Sequence, residues 1–154
     1  MILSRNKPYF IKNSERVILV LNSDVFIEGV LIAESYCGRL VDYLLDERFD
    51  IAMDDRIYLE YSAKLNNKKL GLEKKSIDCL LKFLKENGKF VTAEKLRMPD
   101  HLNSICPRFL KFVEVGKSSK SDAIVVLDTG VFKPAYPNLF TSIMTAEEVF
   151  EKLL

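Results

Sequence analysis

A chain of 154 residues, 48% of them apolar, is long enough for one domain with a single sizeable core and too apolar for a disordered segment. Its 23 basic and 22 acidic residues nearly cancel, which excludes a global field able to draw the chain onto nucleic acid; any such contact must be a local patch. Three widely separated cysteines, Cys37, Cys79 and Cys106, support neither a disulfide framework nor a zinc site, no signal-peptide-like stretch opens the chain, and no window reaches the ~20 apolar residues of a membrane span. The expectation is a cytoplasmic protein without a membrane segment.

Residues 1–15 are polar and mixed and read as an N-terminal arm before a domain over 16–154. Residues 17–21, Val-Ile-Leu-Val-Leu, form a continuous apolar run suited to a strand covered on both faces of a parallel sheet, and the run ends in Asn22, Ser23 and Asp24. Leu40, Val41, Leu44 and Leu45 recur at helical spacing, predicting a helix over 36–47, with Gly29 and Gly38 loosening the segment that leads into it. A second apolar run over 49–53 precedes Asp54 and Asp55, either of which is placed to cap a helix that carries Glu60.

A lysine- and asparagine-rich run over 65–75 reads as solvated surface, and Ile77, Leu80, Leu81 and Leu84 mark another amphipathic helix, capped by Ser76 and stopped at Asn87-Gly88. A short strand over 89–92 comes next, then an irregular stretch over 93–107 holding the single histidine, His101, and a helix restarts over 109–115. Residues 123–127, Ala-Ile-Val-Val-Leu, give the second strong strand signal and run into Asp128. Gly130, Pro134 and Pro137 suggest a loop, 141–144 a last strand, and Thr145 with Glu148 a capping box for the final helix. Strands alternating with helices imply an α/β fold, a three-layer α/β/α sandwich with a central parallel sheet.

In such a sheet the ends of both strong strands share one edge, where open α/β folds place their ligands. Asn22, Asp24 and Asp128 then approach one another, with Glu60 joining from its helix. Carboxylates gathered without cationic partners call for a divalent ion, and hard oxygen ligands suit magnesium or manganese, which activate water and neutralise charge on a scissile phosphate. The plainer alternative is that Asp24 caps a helix, Glu60 faces solvent and Asp128 opens a turn. Glycine-rich phosphate loops are missing from the sequence, and a nucleophile built from Cys37 or Cys106 with His101 has no supporting motif.

The order of these stretches resembles a PIN domain, the fold of many metal-dependent ribonucleases including the VapC-type toxins. Residues 20–27, Val-Leu-Asn-Ser-Asp-Val-Phe-Ile, resemble the family's opening segment; residues 57–61, Ile-Tyr-Leu-Glu-Tyr, its glutamate helix; residues 122–128, ending in Asp128, its later acidic strand; and residues 143–150 its closing strand and helix. The resemblance spans about 16–154 and implies a magnesium- or manganese-dependent endoribonuclease of toxin-antitoxin type. It places Asp24, Glu60 and Asp128 as catalytic metal ligands, Asn22 as a further ligand and Ser23 in support.

The chain departs from the family at definable points. The usual aspartate-then-asparagine order is exchanged in Asn22 and Asp24, a later acidic cluster aligns with Cys106-Pro107-Arg108-Phe109, and Asp100 is a substitute only if its loop folds back. The competing expectation is therefore a catalytically inactive PIN-like domain acting as an RNA- or protein-binding module. Partners implied by the resemblance are RNA, a small antitoxin protein and a second copy in a homodimer. Lys64, Lys68, Lys69, Lys95, Arg97, Lys117 and Lys120 are the residues placed to rim the edge against RNA.

Overall fold

The fold is governed by where the apolar runs can be buried. The structure, a computed structural model, describes residues 16–97, 108–135 and 141–154. The N-terminal arm, Asp100, His101, Cys106 and Pro137 lie outside them. Five strands, β1 (Ile18–Leu21), β2 (Asp50–Met53), β3 (Lys89–Phe90), β4 (Ala123–Val125) and β5 (Ser142–Met144), pair in parallel in the order β3-β2-β1-β4-β5. Among the described residues seven α-helices flank the sheet: α1 (Ser23–Leu31), α2 (Tyr36–Leu45), α3 (Asp55–Leu65), α4 (Lys74–Asn87), α5 (Leu110–Ser119), α6 (Thr129–Ala135) and α7 (Ala146–Lys152). This is the expected three-layer sandwich. The two continuous apolar runs are the central strands β1 and β4, where Leu19, Val20, Leu21, Ala123, Ile124 and Val125 are fully buried.

Several local expectations hold to the residue. Asp54 caps α3 through a 3.1 Å bond from the Ile57 amide, Gly88 ends α4, and Thr145 with Glu148 forms the reciprocal capping box of α7. Others are corrected. Ser76 does not cap α4; that helix starts three residues earlier than a Ser76 cap would place it, with Glu73 at the cap, and the Ser76 hydroxyl donates to the Glu73 carboxylate. The loop expected around Gly130 and Pro134 is helical, since Asp128 accepts the Gly130 amide at 2.8 Å and starts α6.

The main revision concerns Gly29, which loosens nothing. It lies inside α1, and a Cβ there would collide with the Cys37 carbonyl and a Val41 methyl. Glycine lets α1 and α2 touch backbone to side chain, and this contact fixes the helix pair that connects β1 to β2. Burial lifts the Cys37 thiol, with the Glu28 charge adding to the effect, to about 12, so it stays protonated and behaves as a core hydrophobe. Gly29→Ala is expected to destabilise the fold by about 1–3 kcal/mol through overpacking; chemical denaturation would register this as a lower midpoint at an unchanged slope.

Candidate functional site

The carboxyl edge is assembled by the pairing of β1 with β4. The Asn22 amide donates to the Val125 carbonyl at 2.9 Å, carrying the ladder one residue past the strand, and the Asn22 carbonyl accepts the Val25 and Phe26 amides to start α1. Ser23 is thereby buried beneath the edge and Asp24 is turned outward. Asp24 pairs with Lys64 at 3.1 Å and stays in water, 63% exposed. Asp128 is exposed, with one carboxylate oxygen engaged by the Gly130 amide.

Glu60 is positioned from the opposite helix. Its neighbour Tyr61 is fully buried, its ring 4.6 Å from that of Phe26, and its hydroxyl donates to the Leu21 carbonyl at 2.5 Å. That anchor directs Glu60 to Ser23. The Ser23 hydroxyl donates to Glu60 Oε2, and Lys111 Nζ sits 2.8 Å from Glu60 Oε1. Both side chains are largely enclosed, Lys111 at 16% and Glu60 at 22% exposure. Burial alone would raise the Glu60 carboxyl, but the hydrogen bonds from Lys111 and Ser23 and the charges of Lys111 and Lys64 outweigh it, so the group lies below its ordinary value.

A second ion pair sits beside the first. Arg56, four residues before Glu60, holds Asp54 at 2.7 Å and Glu114 at 2.8 Å, while the other Glu114 oxygen accepts the Leu96 amide at 2.9 Å. Helices α3 and α5 are thus joined by two bridges of opposite polarity, Arg56 to Glu114 and Glu60 to Lys111. Sequence reasoning singled out Glu60 and missed Lys111, Arg56 and Glu114. The signal available was the spacing: opposite charges four apart in one helix and three apart in the other.

The structure gathers the acids less closely than the sequence suggested. Asp24, Glu60 and Asp128 sit at the same edge, but each faces a donor or cation of its own, and among the described residues no group of three acidic, histidine or cysteine side chains is placed to hold a metal. A divalent ion does not fit at Glu60 as it stands, because both carboxylate oxygens are engaged and an ammonium occupies the approach. The basic rim also divides: Lys120 adjoins Asp122, whose amide meets the first residue of β1 at the amino edge, and Lys117 lies one turn before it. Away from the edge, an open apolar groove of about 740 Å³ runs between α1, α2 and α4, lined by Val30, Val41, Leu45, Leu65, Ile77 and Leu80 among others.

Because the folded carboxyl of Glu60 titrates below the unfolded one, its stabilisation is complete above the unfolded value near 4.5 and is lost as pH falls through the folded value. Glu60→Gln, which keeps an acceptor for Ser23, is expected to flatten the fall of stability below about pH 4.5; thermal melts of both proteins between neutral and acidic pH would reveal the difference. No protein-family model matches this chain, and neither a curated protein nor a solved structure matches it.

Proposed function

We propose that this chain is a PIN-like domain that works as a binding module for a protein partner, without metal-dependent cleavage of RNA. The observation that carries the reading is the Lys111 ammonium on Glu60, the one inward-facing carboxylate of the resembling set. Lysine supplies at that carboxylate the positive charge that magnesium or manganese would bring, but it cannot activate a water or bridge a phosphate as a metal does. Asn22 adds no charge, and Asp24 is directed to Lys64.

A protein suits the surface better than RNA does. The apolar groove between α1, α2 and α4 offers area to a polypeptide and little to a polyanion. The lysines that would bind phosphate are divided between two edges, and Lys64 is paired with Asp24. A small antitoxin-type protein, the partner that the resemblance implies, is the occupant this surface favours.

Manganese calorimetry on the wild type, with RNA cleavage assayed in the same buffer, tests this directly. The expected result is no binding at millimolar manganese and no cleavage. Binding and cleavage that both disappear in a Glu60→Ala, Asp128→Ala double variant would replace the proposal with a rearranged, working nuclease site.

A further inference from the structure

The chain enters its first strand close to one end of the apolar groove. The Asp50 amide donates to the Val17 carbonyl at 2.9 Å, and the Arg16 guanidinium lies 3.3 Å from the Phe49 carbonyl and 3.2 Å from the Asp50 carboxylate. Leu45, which lines the groove and is 45% exposed, stands four residues before Phe49, so the two are separated by at most about 14 Å. The turn between them is tight, with the Arg48 amide donating to the Tyr43 carbonyl at 2.9 Å. The segment before Arg16 is thus tethered within a short reach of the Leu45 end of the groove.

The chemistry of that segment complements the groove. Tyr9-Phe10-Ile11 is a run of three large, mainly apolar side chains, and the five residues from Ile11 to Arg16 extend to about 17 Å, enough to bring the run to Leu45. A groove of about 740 Å³ walled by Val30, Leu45 and Leu80 has the size that encloses a few such side chains. Charge points the same way. Arg5, Lys7 and Lys12 surround the run, against Glu15 alone. Two acids line the groove, Asp42 and Glu73, neither with a cation partner among the described residues, and Lys75 is the single base that lines it. So short a tether gives an effective concentration of about millimolar order, so contacts too weak to hold a separate peptide suffice within one chain.

We infer that Tyr9-Phe10-Ile11 occupies the groove between α1, α2 and α4 in the free protein, with Lys12 beside Asp42, so that a partner must displace the chain's own segment to dock there. The displacement rests on the groove being the partner surface proposed above, whereas the occupancy does not.

Two cysteines supply the test. Cys79, exposed on the groove wall, reports whether the groove is covered, and the buried Cys37 reports whether the fold is intact. The full chain is alkylated with a bulky maleimide, and labelling at each cysteine is followed by peptide mass spectrometry. Phe10→Asp and Lys12→Asp are each expected to speed labelling of Cys79 at least about fivefold with Cys37 unchanged. Adding Asp42→Lys to Lys12→Asp is expected to return Cys79 to within about twofold of wild type. If Phe10→Asp also exposes Cys37, the fold has loosened and the Lys12→Asp, Asp42→Lys pair decides. Equal labelling of Cys79 in the wild type and the folded variants overturns the inference. So does protection of Cys79 that appears only as the wild-type concentration rises, which places a second copy in the groove. Manganese binding by the wild type would overturn the function proposed above and leave the labelling result untouched, so the two failures are distinguishable.

Discussion

Glu60 stays ionised in a largely enclosed position because Lys111 and Ser23 hydrogen-bond its carboxylate and the charges of Lys111 and Lys64 lie near it, and much of the carboxyl edge is arranged around those contacts. An unpaired carboxylate at this depth would have to take up a proton or recruit a cation. The ammonium removes both needs. Ser23 then completes the shell, Tyr61 fixes the direction of the helix that delivers Glu60, and α5 is held where Lys111 can span the gap.

The same parallel sheet that would bring acids together for metal chemistry here brings each acid to a cation or a backbone donor. Topology supplies the meeting place and side-chain identity decides what meets there. Asp24 is turned outward by the first turn of α1, Asp128 is engaged in starting α6, and Glu60 faces lysine. A parallel α/β sheet of this order is therefore compatible with an edge that, among the described residues, gathers no metal ligands.

Much of this was legible in the sequence. The two β-branched runs at Val17 and Ala123 announced buried parallel strands, because a run that is short, β-branched and apolar throughout suits a strand covered on both faces. Thr145 and Glu148 wrote their cap in local chemistry alone. What the sequence concealed depended on tertiary contact. Gly29 looks like a breaker in isolation, yet α1 needs it as a point of close approach to α2. Asn22 starts α1 through its backbone without a side-chain cap bond, so the cap-type residues Asn22, Ser23 and Asp24 did not by themselves say which of them begins the helix. Gly130 and Pro134 read as a loop until the Asp128 carboxylate accepts the Gly130 amide. Lys111 stood within a helix that the periodicity revealed, but nothing local says that it lies across from Glu60, 51 positions earlier in the chain.

The two bridges of reversed sign between α3 and α5 also act as a key to how these helices lie against each other. A slide of one helix past the other by a single turn, about 5.4 Å, would bring Glu114 towards Glu60 and strand Arg56 and Lys111. Two bridges of the same polarity would leave attraction intact after such a slip, whereas alternation turns the first misplaced turn into repulsion. The arrangement makes the true alignment distinguishable from its nearest rival, so the pair of helices is told apart from a sliding contact by sign as well as by shape.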